Sequence, residues 1–197
     1  MVSDKAEYVP IFLSLMENLK VENWYYILGN HDYDYRTEEN LFPLVYQSFE
    51  VLGIKFILIS DEIGYRGGAH LSGGDMGENQ FDWFFRELYL SRDQPVFVFS
   101  HQGPEHWNVW PELPVHEPGE VRIDLWFTGH YHQWIVENSP EGFLRLTVNS
   151  IDWLNNYESM FMFLERRGDR IKVELRPRNH LDRKWLPWPT FTFEFEV

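Results

Sequence analysis

Apolar residues recur along the first two thirds of the chain with two different periods. Spacings of three and four residues predict one helix over residues 8–19, a second from Thr37 up to Gly53, and a third over residues 78–90. Short continuous apolar runs predict buried strands at residues 24–28, 54–59, 96–99 and 123–127. Helices that alternate with buried strands are typical of a layered α/β core, which is the fold class that this pattern predicts.

The final third of the chain, residues 134–197, has a different pattern. Short strand-like runs are separated by turns at residues 139–142 and 167–169, and Phe191, Phe193 and Phe195 alternate with other residues near the end. This segment predicts a second sheet that packs against the first. No repeat or interdomain linker is evident, so we expect a single domain over residues 1–197.

The composition limits the kinds of metal site that the chain can form. Hydrophobic residues make up 44% of the chain and aromatic residues 18%, which argues for a folded protein. There is no cysteine, so disulfides and thiolate zinc sites are excluded. Any metal ion must therefore be held by His, Asn, Asp or Glu.

Charge and hydropathy exclude further classes of partner. The formal net charge of −14 disfavours binding to extended nucleic acid. The first residues do not have the basic and apolar regions of a signal peptide, and no apolar run approaches the roughly 18 residues that span a bilayer. We therefore expect a cytoplasmic protein without membrane contact.

Three short polar motifs each follow a predicted strand. A single histidine in such a place is usually a surface residue, and a single Gly-Asn pair is usually a turn. Four of the eight histidines, however, fall directly after predicted strands, and the carboxyl ends of strands are where open α/β sheets bind ligands. The motifs are Gly29-Asn30-His31-Asp32, Ser100-His101-Gln102-Gly103 and Gly129-His130-Tyr131-His132.

The side chains of these motifs suit divalent metal ions. Neutral imidazole binds zinc, iron and manganese, and the amide oxygen of Asn30 suits harder ions such as manganese. Two neighbouring ions of this kind can hold a phosphate group and lower the pKa of a bridging water. The motifs therefore favour phosphoester hydrolysis.

The order Gly-Asn-His-Asp, Ser-His, Gly-His-x-His resembles the calcineurin-like metallophosphoesterases, and residues 73–88 are similar to a glycine-led helix of that family. The resemblance implies a layered α/β/β/α sandwich with two mixed sheets. It also implies a phosphomonoester or phosphodiester substrate of small-molecule size. By resemblance Asn30, His101 and His130 would bind one metal ion and His132 the other. His31 would protonate the leaving oxygen, and Asp32 would orient His31.

The chain also departs from the family pattern. The family has an Asp-x-His motif and a Gly-Asp motif upstream of Gly-Asn-His, whereas only 28 residues precede Gly29 and no Asp-x-His triplet occurs in the chain. Gly74-Asp75 lies downstream in a glycine-rich stretch and is disfavoured as the bridging ligand. The resemblance thus implies a domain that is incomplete at its N-terminus. We expect one ion or none for this chain alone, where the complete site holds two, and an uncovered sheet edge that favours a homo-oligomer or a partner chain.

Two other functions fit part of the pattern. The chain could be a non-catalytic binding or interaction module that retains a partial metal site, and an upstream Asp-x-His motif would distinguish the enzyme from this module. A mononuclear oxygenase with two histidines and one carboxylate fits less well, because the third candidate ligand is Asn30 and not an acid.

Overall fold

The computed structural model of the chain describes residues 9–29, 46–60, 78–104, 121–139, 142–148, 159–178 and 191–196. These residues form two helices and nine strands. The chain divides into two compact units, Met1–Arg122 and Ile123–Val197. None of the helices described is long and apolar enough to cross a membrane.

The first unit combines two helices with a mixed set of three strands. The strand β1 pairs with β2 in the antiparallel sense, and β2 pairs with β3 in the parallel sense. The elements are α1 (Val9–Asn18), β1 (Gln47–Val51), β2 (Ile54–Leu58), α2 (Glu78–Leu90) and β3 (Val96–Phe99).

The core of the first unit is built from the apolar runs of β2 and β3 and one face of α2. Phe84 and Leu88 are four residues apart in α2 and are fully buried, as their helical spacing predicts. Ile57 of β2 and Val98 of β3 are opposite each other in the register and are also fully buried. The strands predicted at 54–59 and 96–99 and the helices predicted at 8–19 and 78–90 are therefore confirmed.

A partly buried ion pair connects α2 to the first two strands. Lys55 of β2 lies 2.7 Å from the carboxylate of Glu87, and the Ser48 hydroxyl donates a 2.7 Å hydrogen bond to the same oxygen. Burial raises the pKa of Glu87. The hydrogen bonds from Lys55 and Ser48 and the charges of Lys55 and Arg86 outweigh that effect, so the net pKa is below its usual range. The carboxylate stays charged and holds the helix against the sheet.

The helix predicted from Thr37 up to Gly53 is wrong at its C-terminal end. Residues 47–51 form strand β1, and Phe49 is opposite Phe56 of β2 with their rings stacked at 5.1 Å. Leu52 and Gly53 have φ angles of 53° and 72°, as in a two-residue type I′ hairpin turn. Gly53 therefore closes a hairpin and does not end a helix. Residues 37–45 lie outside the described part of the chain.

The strand predicted at residues 24–28 is also wrong, because the structure assigns no strand there. Tyr25 is 43% exposed and stacks on Phe49 at 3.9 Å. The amide of Leu28 donates to the Ser60 hydroxyl at 3.1 Å and not to a strand backbone. Burial increases toward the end of the segment, where Leu28 is 3% exposed.

The second unit contains two groups of strands. Strand β4 pairs with β6 in the parallel sense and β5 pairs with β6 in the antiparallel sense, so this group is mixed. The other group has the order β7-β8-β9, and both of its pairings are antiparallel, where the resemblance implied a mixed sheet. The strands are β4 (Leu125–Thr128), β5 (Ile135–Asn138), β6 (Leu144–Thr147), β7 (Ser159–Arg167), β8 (Arg170–Arg178) and β9 (Phe191–Glu196).

The turns predicted in the second unit are confirmed. Gly142 donates its amide to the carbonyl of Ser139 at 3.0 Å and has a φ angle of 95°. Gly168 has a φ angle of 66° between β7 and β8. Both backbone conformations favour glycine, which explains why glycine occupies these two turn positions between strands. The strand predicted at 123–127 is present as β4, with its start two residues later.

Candidate metal centre

The structure describes three of the six residues predicted for the site. His101 follows the end of β3 in the first unit. His130 and His132 follow the end of β4 in the second unit. Asn30, His31 and Asp32 lie outside the described residues, as does Asp75, so their predicted roles stay predictions.

Gly29 packs against the imidazole ring of His101. An alanine Cβ built at Gly29 would lie 2.8 Å from Nδ1, 2.9 Å from Cγ and 3.0 Å from Cε1 of that ring. Three nearly equal distances to adjacent ring atoms place this position over the face of the ring, not beyond the edge of one nitrogen. The contact therefore leaves the in-plane lone-pair directions of the ring clear of Gly29, and these are the directions in which imidazole binds a metal.

A chain of buried hydrogen bonds holds the backbone before Gly29. The amide of Leu28 donates to the Ser60 hydroxyl at 3.1 Å. Ser60 donates its own amide to Oε1 of Gln80 at 3.0 Å, and Nε2 of Gln80 donates to the Ser60 carbonyl at 2.9 Å. Ser60 is fully buried and Gln80 is 2% exposed, so water does not compete for these bonds. Helix α2 thus fixes the segment that leads into the first motif.

A second local hydrogen bond holds the backbone around His101. The Ser100 hydroxyl donates to the carbonyl of Gln102 at 2.5 Å, so the bond spans His101. Ser100 is 1% exposed and Gln102 is fully buried, whereas His101 itself is half-buried. The ring of His101 therefore extends from a fixed, buried turn at the end of β3.

His130 and His132 have an unusual backbone conformation. Their φ angles are 63° and 54°, in the left-handed region that side chains other than glycine rarely adopt. Between them, the amide of Tyr131 donates to the carbonyl of Gly129 at 2.7 Å, and the Tyr131 ring meets the His130 ring edge-on at 5.5 Å. Strained residues of this kind cluster at functional sites.

The end of β4 is anchored to β6, which supports this strained turn. The amide of Val148 donates to the carbonyl of Thr128 at 2.7 Å. The hydroxyls of Thr128 and Thr147 are 2.9 Å apart in a buried hydrogen bond. The backbone is thus fixed immediately before Gly129, and the turn that carries both histidines starts from a rigid strand end.

The donor types present are those that a divalent metal ion accepts. Imidazole is a common ligand of zinc, iron and manganese, and the described residues provide three such rings. No group of three or more His, Cys, Asp or Glu side chains suited to a metal is found within the described ranges. The remaining predicted ligand, Asn30, lies outside those ranges.

Sequence reasoning missed Ser60 and Gln80, which support the site. They are 32 and 52 residues from Leu28 in the chain, and local patterns carry no sign of hydrogen bonds over such separations. A polar Gln at a position on the buried face of α2 is the one signal that the sequence offers.

Solved structures with a similar fold include a dimetal phosphatase from Danio rerio, with a TM-score of 0.66 and 14% identity over 91% of this chain and 76% of that chain. A double mutant of Vps29 from Entamoeba histolytica has a TM-score of 0.35 and 13% identity, over 77% of this chain and 61% of that chain. Vacuolar Protein Sorting 29 from Cryptosporidium parvum has a TM-score of 0.48 and 14% identity, over 95% of this chain and 76% of that chain.

The similarity to the Danio rerio phosphatase shows that this chain has a mixed α/β, metallophosphoesterase-like fold, as predicted. None of the curated proteins matches the chain. A family model described as calcineurin-like phosphoesterase matches residues 3–134, which is most of the chain and includes all three motifs. The chain belongs to the calcineurin-like phosphoesterase family.

Proposed function

We propose that this chain hydrolyses a phosphomonoester or phosphodiester of a small molecule with the help of divalent metal ions. Family membership supports a metal-dependent phosphoesterase in general. The observation that carries the proposal for this chain is the pair of left-handed residues His130 and His132. Each such conformation costs about 1–2 kcal/mol for a side chain other than glycine, so its presence twice at the predicted ligands argues for a functional role.

The residue roles follow the order of the motifs. Asn30, His101 and His130 would hold one ion and His132 would hold the other, and the bound ions would supply an activated water and neutralise charge on the phosphate oxygens. His31 donates a proton to the leaving oxygen, and Asp32 fixes the orientation of His31. Gly29, which directly precedes Asn30 in the sequence, contacts the His101 ring.

Manganese, iron and zinc all fit the proposed ligands, because imidazole accepts each of them and the amide oxygen favours the harder ions. A net charge of −14 makes a small phosphate ester a more suitable substrate than extended nucleic acid. The same composition, without an apolar run of membrane length, supports a cytoplasmic location. Fractionation of cells that express a tagged chain would test the location, and recovery with membranes would contradict it.

Partner binding is part of the proposal. Ile11, Leu15 and Leu19 recur every four residues along α1 and are 50–63% exposed. An apolar stripe of this kind supports a second copy or a partner chain that covers the helix. Sedimentation velocity of the purified chain tests for a second copy. A monomer at high micromolar concentration would exclude the second copy and leave a partner chain as the proposal.

Hydrolysis of p-nitrophenyl phosphate and bis-p-nitrophenyl phosphate in manganese tests the proposed activity. We expect metal-dependent turnover that falls by at least about 100-fold in His101→Ala and in His132→Ala. The matched control is His180→Ala, which removes a histidine outside the three motifs and should retain the wild-type rate.

A non-catalytic binding module is the second candidate, and the observation that favours it is the lack of an Asp-x-His triplet in this sequence. Wild-type turnover equal to that of His101→Ala, together with manganese binding that this variant loses, would identify the module and reject the enzyme.

A further inference from the structure

We infer that Gly29 is a positioning residue for His101, an inference that rests on the proposed metal-dependent function. The absent side chain of Gly29 lets the backbone approach the imidazole face closely, and this contact sets the plane in which the two ring nitrogens lie. Gly29 thereby acts on the metal site through His101 and not as a ligand.

The contact distances show why only glycine fits. A Cβ at residue 29 would approach three ring atoms of His101 to between 2.8 and 3.0 Å, well inside the ordinary carbon contact distance of about 3.5–4.0 Å. The backbone of Gly29 itself does not require glycine, because its φ angle is outside the positive range that Gly53, Gly142 and Gly168 occupy. The space taken up by the His101 ring is therefore the reason for glycine at this position.

The ring, and not the backbone, would yield to an added methyl group. On one side, Leu28 is held by the Ser60 hydroxyl, and the backbone of Ser60 is held in turn by the amide oxygen and the amide nitrogen of the Gln80 side chain. On the other side, the bond from Ser100 to the Gln102 carbonyl fixes the turn around His101. A change in the side-chain torsions of His101 would redirect both ring nitrogens away from the positions set by Gly29.

The test compares Gly29→Ala with a matched control, Gly168→Ala. Gly168 has a φ angle of 66° and nothing within 4 Å of an added Cβ, so its substitution strains the backbone without moving a histidine. Manganese affinity is measured by isothermal titration calorimetry. Gly29→Ala should raise the Kd about 10- to 100-fold, the usual loss when a residue that orients a ligand is changed, and Gly168→Ala should stay within about twofold.

A double-variant cycle and a measurement on the metal-free protein distinguish an effect on the position of the His101 ring from a general disruption of the fold. In a His101→Ala background the added Gly29→Ala change should leave the free energy of unfolding unchanged, because the ring that it displaces is gone. In the metal-free protein, the imidazole resonances of His101 should shift in Gly29→Ala but not in Gly168→Ala. The Gly29 α-protons of the wild type should show an upfield ring-current shift that His101→Ala removes.

Unchanged His101 resonances and an unchanged Kd in Gly29→Ala would overturn the inference. If Gly29→Ala does not fold, the wild-type ring-current shift decides: its absence rejects the contact, and its presence, lost in His101→Ala, supports it. If the wild type binds no manganese while the His101 resonances still respond to Gly29→Ala, Gly29 does position the ring and the proposed metal-dependent function is what fails.

Discussion

At the scale of single residues, His130 and His132 carry backbone strain that the other described residues of the second unit do not carry. His130 and His132 adopt φ angles that fit glycine, whereas the turns at Gly142 and Gly168 use glycine for the same purpose. A histidine in this backbone conformation lowers the stability of the fold, and the same conformation determines the direction of its imidazole ring. The strain is therefore a measurable sign of function.

Replacing His132 by glycine should stabilise the fold while it weakens metal binding. Relief of the left-handed conformation gains about 1–2 kcal/mol, and the added freedom of glycine in the unfolded chain costs about 0.5–1 kcal/mol. We expect the free energy of unfolding in urea to rise by about 0.5–1 kcal/mol and the manganese Kd to rise at least tenfold.

Leu52→Gly is the control for this exchange. Leu52 has a φ angle of 53° in the β1–β2 turn, is 73% exposed and belongs to none of the three motifs. This variant should gain similar stability and keep the wild-type affinity for manganese. A His132→Gly protein that is less stable than the wild type by more than about 1 kcal/mol would show that the left-handed turn is not strained.

At the scale of elements, α2 determines where the first motif begins. Gln80 uses its amide oxygen and its amide nitrogen on the two backbone groups of Ser60, and the Ser60 hydroxyl accepts from Leu28. One buried side chain on a helix therefore fixes both the end of β2 and the segment before Gly29. The helix contributes to the site without supplying any metal ligand.

Gln80→Ala should destabilise the chain by about 2–6 kcal/mol, because it removes the Gln80 partners of the buried amide and carbonyl of Ser60 at about 1–3 kcal/mol each. Urea unfolding followed by tryptophan fluorescence measures this loss. Asp82→Ala, an exposed position on the same helix, should change the unfolding free energy by no more than about 0.5 kcal/mol. Equal effects of the two variants would contradict the role given to Gln80.

The sequence predicts elements well where one physical signal dominates. The apolar runs of β2 and β3 and the four-residue spacing of Phe84 and Leu88 in α2 each predict the element that is observed. The similar apolar run at residues 24–28 does not form a strand. Strand β1 was not predicted, because Gly53 suits a helix end as well as a hairpin turn and only the φ angle of Leu52 distinguishes them.

For the site, too, local patterns in the sequence predict some features and not others. The motif letters predict His101, His130 and His132 as metal ligands, because polar residues after buried strands are a local signal. The packing of Gly29 on His101 spans 72 positions in the chain, and the bonds of Ser60 and Gln80 are similarly distant in sequence. Contacts of this kind depend on the folded arrangement of strand ends, which local periodicity does not encode.

At the scale of the whole molecule, the predicted ligands belong to two compact units. His101 is in the first unit, and His130 and His132 are in the second. The family model matches residues 3–134 and thus includes ligands from both units. The predicted ligands are therefore not confined to either unit.

The most direct test of the metal-dependent function is the manganese content per chain, measured by plasma mass spectrometry after dialysis, for the wild type, the His101→Ala/His132→Ala double variant and His180→Ala. We predict one tightly bound ion per chain in the wild type and in His180→Ala, and its loss in the double variant. Equal manganese content in the wild type and the double variant would contradict a metal centre built on these histidines.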